Sequence, residues 1–382
     1  QAIPSYLFVA ALPPIMREAG VSRTAIGSMS ILLLPLVLKF IWAPWIDRIR
    51  PFARAHRAGW VFITQTGTIL CILALIAAGP LDVGKIIAIG FIASLLISTQ
   101  DIATDGYAAK YLPEADRAVG NAIQGGSIAF GVVIGGTLGL VLHHAIGWTG
   151  MLVTIAAISL LPLIAVAMMR EGDPTPAEAG KRPSIRAFLR RPEARQILWI
   201  ALIYRASEGL VKAMEGSYLV DAGVPLNQIG YLSGISATTA GLAGSAIAAW
   251  LVKRRGIAFV LALLGGMRTL CFLLFACHAL GAVVGAWPLF GAAGFQTLIR
   301  YMEIVALYSL FMAVTTSDQP GTDFTILACA QLLVYLAGSM LAGKLADTLG
   351  YGALFSLATA ISAVAVIATV RMIARSSVGK PA

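Results

Sequence analysis

Apolar runs of roughly twenty residues, each ended by charged or Pro/Gly-rich breaks, repeat along the whole chain. They fall at about 1–16, 24–46, 58–79, 84–108, 120–142, 148–169, 196–219, 229–251, 257–280, 287–315, 324–343 and 351–373. A hydrocarbon core about 30 Å thick needs roughly 20 apolar residues per helix. The pattern therefore predicts an all-α integral membrane protein with twelve spanning helices. The first run is short, begins without Met and has Pro4 near its start. It reads as a first helix that is incomplete in this chain. No basic stretch precedes it, so no cleavable signal peptide is expected.

Composition supports the same class. The 382 residues are 58% apolar and 12% charged, with a mean hydropathy of +0.85. A soluble domain usually carries about 25% charged residues, so too little polar surface remains to cover a globule in water. A cytosolic enzyme, a disordered chain and a disulfide-stapled module all fall on that ground.

Charge then orients the spans. Of the 28 Lys and Arg, 19 fall on one side, including Arg48, Arg50, Arg54, Arg57, Arg170, Lys181, Arg182, Lys253, Arg254, Arg255, Arg371, Arg375 and Lys380. Only Arg17, Arg23, Lys85 and Lys344 fall on the other. Basic loops stay in the cytoplasm, so both termini are expected inside, which requires an even number of spans. The net charge of +10 is then charge along the inner leaflet, not a nucleic-acid surface. Cys71, Cys271, Cys277 and Cys329 sit in apolar runs without metal-ligand spacing, and His278 lacks a second ligand pair. They read as packing residues, and neither a metal nor another cofactor is expected.

The longest hydrophilic stretch holds Pro174, Pro176, Pro183 and Pro192. It divides the chain into a six-helix half over 1–170, a cytoplasmic linker over 171–195 and a second six-helix half over 196–382. The halves echo each other: residues 135–159 parallel 338–362, pairing Gly135 with Gly338, Gly147 with Gly350, and Trp148 with Tyr351. Thr104-Asp105 and Thr322-Asp323 form a second parallel, each at a cytoplasmic helix end. Repeated halves mark transporters that work by alternating access around a mid-membrane site.

Ionisable residues at membrane depth are costly and usually functional. In the 196–219 run, Arg205, Glu208, Lys212 and Glu215 form one helical stripe about 80° wide. The 287–315 run adds Gln296, Arg300 and Glu303, and Arg268 lies in the run between them; Tyr204, Tyr301 and Tyr308 stand close by. This set is the candidate solute-binding surface, with a structural ion-pair network as the alternative. In the first half, Lys39, Asp47, Asp101 and Asp105 suit a cytoplasmic gate or a proton site. A carboxylate in a low-dielectric setting can exchange its proton near working pH, and Asp101 is the preferred candidate.

Three segments carry a resemblance. Residues 1–21 and LPLVLKFIWAPWIDR resemble the Q-G-x-P and K-F-x-W-[SA]-P-x-[MVI]-D-R segments of AmpG-like permeases in the major facilitator superfamily. STQDIATDGYAAKYL (98–112) resembles their Q-D-x-x-x-D stretch, and GTDFTILACAQLL (321–333) their G-T-D-F-T motif. The form TQDIATDG looks most similar to the RhtX/FptX-type siderophore permeases. The loop DRIRPFARAHRAGW departs from the G-x-x-x-D-R-x-G-R-R of typical superfamily members, in agreement with the AmpG-like group. The resemblance implies the twelve-helix major facilitator fold and a bacterial inner-membrane secondary transporter. It implies proton-coupled import of a ferric siderophore, with a muropeptide or another medium-sized organic solute as runner-up. By position in the G-T-D-F-T motif, Asp323 joins the gate or coupling set. An enzyme is not expected. Asp101 and Asp105 share one helix, whereas a paired-Asp protease needs two facing helices, and no Ser/His pair or nucleotide loop of the G-x-x-x-x-G-K-[ST] kind occurs. The implied partners are the solute, protons and the lipid bilayer.

Overall fold

A computed structural model describes residues 1–22, 25–26, 28–53, 55–169, 171, 183–224 and 239–375. Residues 172–182 of the linker, with Pro174, Pro176, Lys181 and Arg182, lie outside the described residues. So do the first part of the 229–251 run and Arg23, Arg54, Arg170 and Lys380. The helices that position the sites are α1 (Ala43–Arg48), α2 (Arg57–Ala74), α3 (Val83–Tyr111), α4 (Gly139–Ile158), α5 (Pro192–Ile203), α6 (Glu208–Asp221), α7 (Ile257–Ala279), α8 (Ala286–Ala313) and α9 (Pro320–Arg375). Among the described residues there is no strand, only a single bridge between Phe52 and Ala55 in the loop before α2.

Two continuous apolar helical stretches, Glu114–Met168 and Pro320–Arg375, have 55 and 56 residues. At 1.5 Å per residue each would reach about 80 Å, far beyond one crossing. Each is turned at a glycine: Gly147 at φ 73° and ψ −177°, Gly350 at φ 78° and ψ 164°. Only glycine takes that conformation cheaply. The sequence breaks expected between 142 and 148 and between 343 and 351 are these two corners, each followed by an aromatic residue. Trp148 Nε1 donates to the Leu75 carbonyl at 3.0 Å, and the Tyr351 hydroxyl donates to Asp221 at 2.7 Å.

Two runs differ from expectation. The 24–46 run is broken into 3-10 helix at Ser28–Leu33 and Lys39–Ile41 around a short α-helix at Leu34–Leu38, with α1 after it. The 196–219 run is not one helix: α5 ends at Ile203, residues 204–207 form turns, and α6 begins at Glu208. The Arg268 guanidinium takes the Tyr204 carbonyl at 2.7 Å, an acceptor that an unbroken helix would use itself. Apolar periodicity cannot register that competition, because the donor lies on another helix.

The contacts divide the chain into two units. The first comprises Gln1–Tyr111, Ser127–Ala187 and Thr315–Thr325; the second comprises Leu112–Gly126, Phe188–Val314 and Ile326–Ala382. The segment 112–126, from the first half in sequence, thus belongs to the second unit, and 315–325 to the first. A core of Leu7, Leu12, Ile72, Ile86, Met151 and Ile155 fills part of the first unit. In the second, Leu261, Phe272, Phe275, Phe311 and Phe355 are fully buried.

Candidate functional site

In the second unit the helix break brings the charged stripes together. Arg205 and Glu208 pair across the start of α6. The other carboxylate oxygen of Glu208 lies 3.2 Å from Arg300 Nε on α8. Arg268 on α7 holds both oxygens of Glu303 at 2.9 Å. The Tyr204 hydroxyl lies 2.7 Å from the Leu261 carbonyl and 3.0 Å from Glu303. Lys212 pairs with Glu215 at 2.6 Å.

Exposure sorts this set into two layers. The Arg268 and Glu303 side chains are 1% and 0% exposed, and Tyr204 is fully buried. Arg300 and Lys212 are 32% and 29% exposed, with Arg300 lying 5.3 Å over the Tyr335 ring. Tyr301 and Tyr308 are half-buried. Gln296 is buried, and neither atom of its amide has a hydrogen-bond partner. Four cations here meet three carboxylates, so the cluster carries one uncompensated positive charge at its accessible edge. Uncompensated charge at such depth favours a counter-ion, which makes the edge chemically suited to an anionic group.

The first unit has a smaller set. Lys39 and Asp101 form an ion pair, and the Gln1 amide donates to Asp101 at 2.7 Å. Lys39 is 5% exposed and Asp101 18%. Asp105 is buried one turn further along α3.

Asp47, at the end of α1, gathers four donors. They are Arg57 Nη2, the Gly321 amide at 3.2 Å, and the Thr322 amide and hydroxyl at 2.5 Å. The carboxylate thus caps the N-terminus of α9, where the unpaired amides and the helix dipole favour a negative charge. A Cβ on Gly106 or Gly321 would come within 2.9 Å of Arg57, so both glycines are needed for its approach. Asp323 accepts from Gln319 at 2.6 Å and from the Thr316 amide at 3.0 Å. Gln319 also accepts from the Ser184 amide at 2.9 Å. Glu171 caps α2 by accepting from the amides of His56 and Ala58 at 2.8 and 2.6 Å. His56 sits below its usual pKa, because burial and then Arg57 disfavour the charged ring. Arg57 is a loop cation when read from sequence, so its role as the partner of Asp47 was not legible there.

The internal repeat extends beyond its sequence signal and holds one register. In the first unit Gln100 donates to Gln65 at 2.8 Å, and Gln65 to the Ser159 carbonyl at 2.7 Å. The residues 203 positions later are Glu303, Arg268 and Ser362. There Arg268 binds Glu303 and donates to the Ser362 hydroxyl at 3.3 Å. Gly135 packs against Ile3, and Gly338 against Ala206, in the same register. The neutral glutamine pair escapes a search for charge. Thr104-Asp105 and Thr322-Asp323 do not share this register: Asp105 lies inside α3, Asp323 in the first turn of α9.

Comparison with known proteins agrees with the fold. The profile of the Major Facilitator Superfamily matches residues 1–317. The chain is 24% identical over 382 residues to the anhydromuropeptide permease of Escherichia coli (strain K12), covering 94% of this chain and 75% of that protein. A 101-residue stretch is 36% identical to the putative transporter AmpG 3 of Rickettsia typhi, covering 25% of this chain and 24% of that protein. Among solved structures, the proton:xylose symporter XylE superposes with a TM-score of 0.73 at 13% identity, over 96% of this chain and 93% of that one. A bacterial homologue of the iron transporter ferroportin in an outward-facing state gives 0.72 at 16% identity, over 98% and 100%. At these identities the structures speak for the fold alone. The chain belongs to the Major Facilitator Superfamily, in its AmpG-like group, and is a multi-pass membrane protein and secondary transporter.

Proposed function

We propose that the chain is a bacterial inner-membrane permease that imports an anionic organic solute of the muropeptide class, coupled to protons, by alternating access. The observation that carries this reading is the charge excess at the accessible edge of the second unit, where Arg300 and Lys212 are part-exposed. In this proposal these two cations meet the solute's carboxylates. Glu208, itself held by Arg205, keeps Arg300 in place; Gln296 lies one turn before Arg300 on the same face of α8, and Tyr301 follows Arg300. Arg268, Glu303 and Tyr204 stand behind them and keep the helix break open. The anhydromuropeptide permease among the relatives supports this solute class, since muropeptides carry carboxylates and amides.

Asp101 is the proposed proton site. Protonating it would release Lys39, and that coupling links proton entry to a change in the first unit. Asp47 with Arg57, together with Asp105 and Asp323, forms the proposed inner gate. Both termini lie in the cytoplasm, as the basic asymmetry supports. A ferric siderophore is the second reading, favoured by the TQDIATDG segment at 99–106. Binding to the purified protein separates the two. An anhydromuropeptide should bind, and Arg300→Ala should weaken it at least about tenfold, or roughly 1.4 kcal/mol, with thermal stability nearly retained. Tight binding of a ferric siderophore with no muropeptide binding would install the second reading.

A further inference from the structure

A cavity at the end of the second unit far from the cations of 253–255 is used by none of the sites above. It is an open cavity of about 630 Å³ where α6 and α7 end and α9 turns at Gly350. Asp221 lines it, with its carboxylate fixed by the Tyr351 hydroxyl at 2.7 Å. The Tyr218 ring lies 4.9 Å from that of Tyr351, and the Tyr218 hydroxyl is 2.6 Å from His278 Nδ1. None of the described residues lining the cavity is Lys or Arg, and Asp347 adds a second negative charge close to Tyr351. A carboxylate beside an accessible aromatic ring, with no cation among the described lining residues, is the chemistry that recognises an ammonium group. It is the reverse of the charge at Arg300, so an anionic solute would not rest here.

The surroundings favour a particular carrier of that ammonium. Leu280 and Leu349 at the rim are 68% and 60% exposed, Val284 in the adjoining turn is 83% exposed, and Trp287 in the first turn of α8 is 86% exposed. Exposed Trp and aliphatic side chains at helix ends mark the membrane–water interface. An amine attached to acyl chains gains both the carboxylate and this rim, whereas a free amine gains only the carboxylate. We propose that this cavity binds the primary ammonium headgroup of a membrane phospholipid, a phosphatidylethanolamine. Asp221 and the Tyr351 ring hold the ammonium, with the buried Tyr218 ring supporting Tyr351, and His278 and Ser356, which also line the cavity, serve the phosphate. This site is independent of the solute reading.

The test uses lipid-stripped, full-length protein in detergent, with bound lipid counted by native mass spectrometry. Phosphatidylethanolamine should bind saturably and at least tenfold more tightly than phosphatidylglycerol. Asp221→Asn, a change at an exposed position, should remove that preference. Free ethanolamine should bind at least a hundredfold more weakly than the lipid. Equal binding of the two lipids by the unaltered protein would overturn the proposal, as would an unchanged preference in Asp221→Asn. Ethanolamine binding as tightly as the lipid would overturn its assignment to a membrane source.

Discussion

At the scale of single residues, the two units solve one packing problem with different chemistry. Gln65 and Gln100 are neutral and share an amide hydrogen bond, while Arg268 and Glu303 at the matching positions are charged and fully buried. A buried ion pair often adds little net stability, but removing one partner strands the other at a cost of about 3–5 kcal/mol. Arg268→Gln alone should therefore destabilise strongly, and it also frees the Tyr204 carbonyl. Arg268→Gln with Glu303→Gln, which copies the first unit, should recover most of that loss in thermal unfolding. A double variant as unstable as the single one would mean that the pair is needed as charge. The ionised stripes were legible because charge in an apolar run stands out. The glutamines were not, because they stand among neutral polar neighbours, Thr64 and Thr66 on α2 and Ser98 and Thr99 on α3, and carry no charge to mark them.

The elements were legible to different degrees for physical reasons. Long apolar runs fixed α2, α3 and α7, and the glycine-aromatic corners at 147 and 350 were visible as paired signals. The break at 204–207 was not, since it depends on a guanidinium from another helix. The start of α9 was half legible: the G-T-D-F-T motif marks it, but its anchor is Asp47, 274 positions before Gly321. That anchor also bears on the linker, through Gln319 and Ser184. In a background without the four native cysteines, Ser184→Cys should react with an impermeant maleimide in inverted vesicles and not in intact spheroplasts. Adding Asp47→Asn should raise that rate several-fold, because the helix start loses the charge that holds it. Labelling from outside would reverse the orientation, and an unchanged rate would detach Asp47 from the proposed gate.

At the scale of the whole molecule, we propose that charge on one unit and the Lys39–Asp101 ion pair on the other divide the labour of coupled import. The accessible cations Arg300 and Lys212 are proposed to select the solute, and Lys39–Asp101 to respond to the proton. The claim that joins them is that one carboxylate couples the proton to the solute without creating the binding site. Uptake of a radiolabelled anhydromuropeptide into proteoliposomes, under an imposed pH gradient acidic outside, tests it most directly. The unaltered protein should accumulate solute above the external concentration, and an uncoupler should collapse it. Asp101→Asn should still exchange solute across the membrane but fail to concentrate it. Uphill accumulation by Asp101→Asn at the unaltered rate, or accumulation indifferent to the gradient, would contradict the account.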